Sequence, residues 1–387
     1  MKKGLWDIVK NAFPRKGEER SVVVEELNHG VEITEAKVNR VEKYVELLSR
    51  KALPNLSALG KGGGIPKSDR LVIAASSRHA TTMEGEVRVK RQNPEGAIDE
   101  GELDGLLFRA LWEFLNHYRG WVAKKMGANE LDLVLANIEI ADVRLGSNRV
   151  FNPLGFSGKE FTIRFKGTFI PRRLLPLLEK LHARTKELVV VEHGSSLTGA
   201  VAGSNDFVVC VESGNTTVFI SKEDERVFVG EYGWGTSSLA RSLMGNLAID
   251  EIVAEWILKQ YKKDKLSERF RRLVEKHARD EFRKLLKLIA PLQSKAKHSR
   301  PIVHFHFRVD LPLLESWFME PHAHIAGFYE QLKLQGIRVE VSKKIKSFTP
   351  IFSQTLLALL LHPHTYVQYA FLNQLLKRRA KWLIPSK

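Results

Sequence analysis

Cysteine is almost absent: the 387-residue chain has one, Cys210. A single thiol excludes a disulfide framework and a cysteine-based zinc site, and it suits a reducing cytoplasm. Long apolar runs are missing too. The longest candidate, "TLLALLLH" at 355–362, falls far short of the roughly 20 residues that a membrane span requires. The opening "MKKGLWDIVKNAF" has lysines but no adequate apolar core or small-residue cleavage site, so it does not read as a secretory signal. No Gly-x-Ser-x-Gly elbow, Walker loop or Cys–His pair occurs, so hydrolase and P-loop chemistry lack support. Acidic residues are also short, 45 against 61 Lys and Arg. The net charge of +16 implies an acidic partner: anionic lipid, nucleic acid or an acidic protein. Between Lys259 and Arg300, fifteen basic residues stand against five acidic ones. Such a run is ordinarily a solvated helix face, and its alternative reading is a nucleic-acid face.

A hydrophobic content of 43% marks a folded chain, and its length predicts two or more domains. Leu5, Trp6, Ile8, Val9, Ala12 and Phe13 gather on one side of a short N-terminal helix that Pro14 stops. "ITEAKVNRVEKYVELLSRKALP" predicts an amphipathic helix over Ile33–Leu48, with Thr34 as N-cap and Val38, Val41, Val45 and Leu48 inward. "RLVIAASS" predicts a buried strand. From about Met83 to Phe165 the pattern is a small α+β unit. Its helix carries Leu111, Phe114, Leu115 and Tyr118 at core spacing; the aromatics could alternatively stack on nucleic-acid bases. A helix, the strand "ELVVVE" and the small-residue loop "HGSSLTGAVAGS" follow. Then come the hairpin "CVESGNTTVFIS", a long helical region over Ile249–Leu292, the strand "PIVHFHFRV", the strand "IRVEVSK" and the helix "PIFSQTLLALLL". Strands and helices alternate outside the small unit, which predicts α/β layers. No internal sequence repeat is visible.

The hairpin at Cys210–Ser221 has the outline of a phosphate-holding turn, an apolar strand on each side of small polar residues. Such turns need glycines so that bare backbone N–H groups reach phosphate oxygens, and carboxylates for a metal ion. Here Gly214 stands alone, and Val211 occupies a position where a carboxylate is expected.

The order of these pieces resembles the FtsA family, the actin-like proteins of bacterial cell division. "NPLGFSGKEFTIRF", Asn152–Phe165, is similar to the signature ending that family's inserted subdomain. "RLVIAASSRHATTMEGEVRV" resembles the strand entering it, "EHGSSLTGAV" the connecting loop after it, and "TPIFSQTLLALLL" the last domain-closing helix. The resemblance spans about Gly30–Leu361. It implies an α/β, actin-like (ribonuclease-H-like) two-lobed fold with an inserted small α+β subdomain. The implied divisions are an N-terminal segment at 1–20, and lobe 1 at 21–82 and 167–198 around an insertion at 83–166. Lobe 2 then covers 199–361, with a basic helical part at 249–300 and a return to lobe 1 at 349–361, and a basic tail covers 362–387.

Carried over position by position, the resemblance implies a degenerate nucleotide cleft. The first phosphate hairpin has no counterpart beyond "RSVVVEELNHG". In the second, Val211 and Val218 take the acidic positions, and Ser213 and Asn215 replace glycines. At the adenosine turn His306, Phe307 and Arg308 replace glycines. Glu255 keeps part of a Glu-x-x-Lys pattern whose lysine, Lys259, comes one residue late. The remnant therefore comprises Glu212, Ser213, Gly214, Asn215, Thr216, Thr217, Glu255, Lys259 and Arg308. No cofactor is expected, with Mg-ATP the ligand if the cleft still functions, and no catalytic residue or metal ligand is assigned. Paired histidines, His304 with His306, His322 with His324 and His362 with His364, read as structural or surface residues, because no carboxylates accompany them.

At the C-terminus Phe371, Leu372, Leu375, Leu376 and Leu383 lie near one helix face. Lys377, Arg378 and Lys381 occupy the other, and Trp382 suits an interface. A basic amphipathic helix of this kind can lie in an anionic membrane surface or pack on the body, and the family resemblance implies the membrane. The chain thus reads as a non-catalytic adaptor on the cytoplasmic face of the membrane. Its partners would be an FtsZ-like filament or other divisome protein, the anionic membrane surface and further copies of itself. The alternatives are a divergent ATP-binding ATPase, a pilus or secretion adaptor of the same fold, and a nucleic-acid binder.

Overall fold

Val22–Val24 and Leu71–Ala75 are runs with no polar interruption, the pattern of strands covered on both faces. In the computed structural model, which describes residues 19–27, 30–39, 42, 44–60, 64–198, 207–212, 214–222, 225–291, 303–307, 338–341, 356, 359–360 and 367–380, they lie at the centre of a sheet. The chain divides into two units, Met1–Ser196 with Leu334–Lys387, and Leu197–Lys333.

In the first unit β1 (Glu19–Leu27), β2 (Gly30–Asn39) and β3 (Tyr44–Leu53) form an antiparallel meander, and β4 (Ser68–Ala75) crosses over to lie parallel to β1. The helix expected over Ile33–Leu48 is therefore two strands. Thr34, its expected cap, sits in the middle of β2 with 1% exposure. Valines at 38, 41 and 45 mimic helical spacing. The sheet, however, is covered on both faces: Val31 and Ile33 pack on one side and Ala36 and Val38 on the other. Burial of both faces erases the alternation that distinguishes a strand in sequence.

The inserted subdomain runs from β5 (Thr81–Lys90) through α1 (Glu100–Met126), β6 (Leu133–Leu145) and β7 (Asn148–Arg149) to β8 (Glu160–Pro171), in the sheet order β5-β8-β6-β7. The Asp99 side chain accepts from the Glu102 N–H at 2.7 Å to start α1, and Gly127 ends it at φ 60°. Leu111, Phe114 and Leu115 are core, as their spacing predicts, with Tyr118 packed beside them. The Phe114 ring lies 5.5 Å from Phe165 and 6.4 Å from Phe169, directly over Gly167. A Cβ at Gly167 would stand 2.9 Å from the Phe114 ring. Gly167→Ala should therefore cost about 1–3 kcal/mol by overpacking, measurable as a lower urea midpoint with unchanged slope.

Next come α2 (Leu175–His182) and β9 (Thr185–Glu192), which completes the order β14-β3-β2-β1-β4-β9. Residues 193–198, expected as loop, form a short helix. As the free edge of that sheet, β9 is closed by the insertion. The Val190 N–H donates to Asn137 Oδ1 at 3.0 Å and the Glu192 N–H to Thr82 Oγ1 at 2.9 Å.

The second unit has β10 (Phe207–Val211), β11 (Thr216–Lys222) and β12 (Glu225–Tyr232), then α3 (Ser237–Leu247), α4 (Glu251–Lys262) and α5 (Glu268–Ile289). It closes with β13 (Val303–Phe307), parallel to β10. Its sheet order, β12-β11-β10-β13, repeats β3-β2-β1-β4 of the first unit: a meander, then a crossover to the other side of its first strand. Two copies of one topology are present where the sequence displays no repeat. The chain returns to the first unit by β14 (Arg338–Val341), which pairs with β3, earlier than the expected 349–361. Finally α6 (Ala370–Arg379) packs on the insertion.

Candidate functional site

In α/β sheets, ligands bind beyond the carboxyl ends of parallel strands, where a crossover leaves a crevice. The carboxyl ends of β1, β4 and β9 bring together residues that no sequence motif flagged. Glu25 and Glu26 end β1, and being consecutive they point to opposite faces. Glu25, 6% exposed, lies 3.2 Å from His193 Nε2, just past β9. Glu26 accepts from the Ser76 N–H at 2.8 Å and the Ser76 hydroxyl at 2.9 Å, and it contacts His79 Nδ1 at 2.6 Å. Glu192, at the end of β9, accepts from Lys125 Nζ at 2.7 Å and from the Thr82 N–H at 3.0 Å. Each carboxylate is engaged by the chain itself. Among the described residues no three His, Cys, Asp or Glu side chains are arranged to hold a metal ion.

Burial alone would raise the Glu26 pKa; the hydrogen bonds from His79 and Ser76, with the nearby imidazole, outweigh it and hold the group below its ordinary value. A depressed carboxylate stabilises the fold above its unfolded pKa and loses that contribution as pH falls through its folded pKa. Glu26→Gln should therefore destabilise the protein at pH 7, and the gap from wild type should close as pH falls below about 4. Urea titrations across that range check it.

Where the first phosphate hairpin was expected to be missing, β1 and β2 form a hairpin. Leu27 pairs with Gly30, which leaves a connection of residues 28 and 29, outside the described residues. Gly30, at φ 143°, lies so close to the Leu53 carbonyl that no side chain fits.

In the second hairpin, Val211 and Val218 are fully buried in the core of the second unit. Carboxylates there would sit among Phe207, Val209 and Ile220, so the valines serve packing. The turn is tied down by its own chain. The Glu212 N–H donates to the Asn215 carbonyl and the Thr236 N–H to the Glu212 carbonyl, both at 2.9 Å. The Asn215 amide donates to Glu231 at 2.6 Å, and the Thr216 hydroxyl to the Trp234 carbonyl at 2.8 Å. Gly214 is partly exposed and Thr217 is buried; Ser213 and Arg308 lie outside the described residues. Glu255 and Lys259 are exposed on α4, 3.9 Å from each other. No hydrogen bond or ion pair among the described residues joins them to the turn. His304, His306 and Phe307 belong to β13; the other paired histidines lie outside the described residues.

The C-terminal helix corrects the membrane reading of its apolar face. Leu372 and Leu376 are fully buried in the core of the insertion, and Phe371 and Leu375 pack against it. Asn373 accepts from the Ile140 N–H at 2.6 Å, and Tyr369 donates to Asp142 at 2.9 Å. Lys377 and Arg378 are exposed, while Lys381, Trp382 and Leu383 lie outside the described residues. An amphipathic pattern reports that a face needs cover, and protein satisfies it as well as lipid.

No protein-family model and no curated protein matches the sequence. Among solved structures, a "PilM-PilN type IV pilus biogenesis complex" chain matches at TM-score 0.55 and 12% identity, over 89% of this chain and 99% of that one. That match and the twice-used sheet order decide the architecture. The fold is actin-like. Two further similar structures are the ethanolamine utilization protein EutJ from Carboxydothermus hydrogenoformans and a protein from Bacteroides thetaiotaomicron. EutJ matches at TM-score 0.39 and 12% identity, over 91% of this chain and 92% of that one. The second, described as having an "actin-like ATPase fold and unknown function", matches at TM-score 0.37 and 11% identity, over 87% and 95%. At these identities the likeness concerns the actin-like fold alone.

Proposed function

We propose that this actin-like chain is a non-catalytic adaptor that docks assembly components at the cytoplasmic face of a membrane. The observation that carries the reading is the occupation of the strand ends. Glu25, Glu26 and Glu192 are held by His193, His79 and Lys125, and the second hairpin places valines where a metal shell would need carboxylates. Mg²⁺ requires oxygen ligands that face it and its waters. The expected result is no Mg-ATP binding in calorimetry up to millimolar nucleotide. Low-micromolar binding that substitution of Gly214 or Thr217 abolishes would replace this reading with a divergent ATPase.

A partner surface is available on the second unit. Val253, Trp256 and Phe270 are exposed and line, with Leu247, Ile249 and Lys265, a concavity of about 520 Å³. Exposed Arg269 and Arg272 follow on α5. An apolar groove with basic neighbours suits an acidic segment with apolar anchors, such as a filament tail of the cell-division type. The likeness to a pilus biogenesis complex favours a second reading, a pilus or secretion adaptor built on the same groove. Pull-downs from native membranes with wild type and Trp256→Glu separate the two by the identity of the groove-dependent partner. Membrane attachment is proposed for Lys377, Arg378 and the Leu5–Phe13 segment rather than for the covered face of α6, with co-sedimentation on anionic vesicles as the measurement.

A further inference from the structure

A sheet has two edges, and an edge strand exposes a row of unmated backbone groups unless something covers it. The inserted sheet, β5-β8-β6-β7, treats its edges differently. On the β6 side the C-terminal segment closes it: the Ile140 N–H reaches Asn373 Oδ1 and the Val143 N–H reaches the Tyr369 hydroxyl. On the other side β5 is ten residues long and pairs only with β8 among the described residues. The Thr82 N–H points away from β8, to Glu192 Oε2. Backbone alternation then places the N–H and C=O groups of residues 84, 86, 88 and 90 on that same outer edge. The register with β8 is unbroken from Thr81 to Lys90, so no bulge interrupts the row.

The strand reads Glu84-Gly85-Glu86-Val87-Arg88-Val89-Lys90. Native edges are commonly protected by charged side chains, lysine above all. This one carries acid in its first half and base in its second. We propose that β5 pairs antiparallel with β5 of a second copy about a two-fold axis at Val87, joining two inserted sheets into one. In that register Glu86 faces Arg88 of the second copy, and Arg88 faces its Glu86. Lys90 extends toward Glu84, which keeps its contact with Arg164. The parity is correct: residues 86 and 88, both with outward backbone groups, form the hydrogen-bonded pairs, and Val87 forms the non-hydrogen-bonded pair on the axis. An interface that is its own complement is what a two-fold dimer requires. Arg88 is 68% exposed and Glu86 24%. Their present contact, Arg88 Nε to Glu86 at 2.9 Å within one strand, is exchanged for two cross-strand pairs. A seven-residue edge gives a small interface, hence a weak, exchanging dimer that salt weakens further.

The charge order supplies a test that a folding defect cannot imitate. Glu86→Arg makes the central pair all basic, and Arg88→Glu makes it all acidic. In sedimentation velocity of the full chain at up to about 100 µM, wild type should dimerise. Each single variant should be monomeric, its self-association weakened at least about tenfold by like charges directly opposite each other. Mixing the two variants should restore a dimer, because every central pair is then Arg against Glu. A monomeric wild type at that concentration overturns the proposal. So does a wild-type dimer that both variants retain, or a mixture that stays monomeric while each variant keeps native circular dichroism.

Discussion

Removing residues 370–387 should leave the inserted subdomain unfolded or molten rather than merely detach the protein from a surface. Leu372, Leu376 and Ala380 are fully buried in the same core as Leu106, Phe114 and Phe165. Leucines so placed contribute about 2–5 kcal/mol each when truncated. The same segment closes the β6 edge, so its loss also strands the Ile140 N–H. Leu376→Asp tests the point without deletion: a carboxylate forced into that core should lower the melting temperature by about 10 °C or more. It should also raise dye binding by exposed apolar surface. A truncated chain with unchanged melting would return α6 to the role of a detachable anchor.

The second large effect is expected at Lys125 and Glu192, the ion pair between α1 of the insertion and the end of β9. Their side chains are 5% and 2% exposed and 2.7 Å apart. A buried pair contributes little net stability, but breaking it leaves one charge without its partner in a dry site, which costs about 3–5 kcal/mol. Lys125→Met should show that loss in urea unfolding, and Glu192→Gln a smaller one, since the amide oxygen still accepts from Thr82. The double variant should recover more than half of the summed loss, the coupling expected of neighbours. Additive losses would mean that the two side chains act separately. Because His193 follows Glu192 directly and holds Glu25, the variants also report whether the strand-end cluster depends on the insertion's seating.

Much of this was written locally. α1 is legible from an apolar residue every third or fourth position, because amphipathic burial acts within a few residues; the structure adds its ends, capped by Asp99 and Gly127. The β10–β11 hairpin is legible for the same reason, two apolar runs around small polar residues. That Gly214 is the one glycine of that stretch is a fact of composition that no fold could hide. What the sequence misassigned depended on neighbours distant in the chain. β2 and β3 read as a helix because their valines are spaced for one; the strands become recognisable only when the helices on one side and residues near Leu359 on the other cover both faces. The strand-end cluster was invisible, since Glu25, Glu26, His79, Lys125, Glu192 and His193 share no motif. Contacts across 53 to 168 residues of sequence bring them together. The fate of the C-terminal helix was likewise undecidable in sequence. Its leucines required an apolar partner, which composition and periodicity established. Whether that partner was lipid or the inserted subdomain depended on where the preceding chain had gone, and only the tertiary structure holds that information.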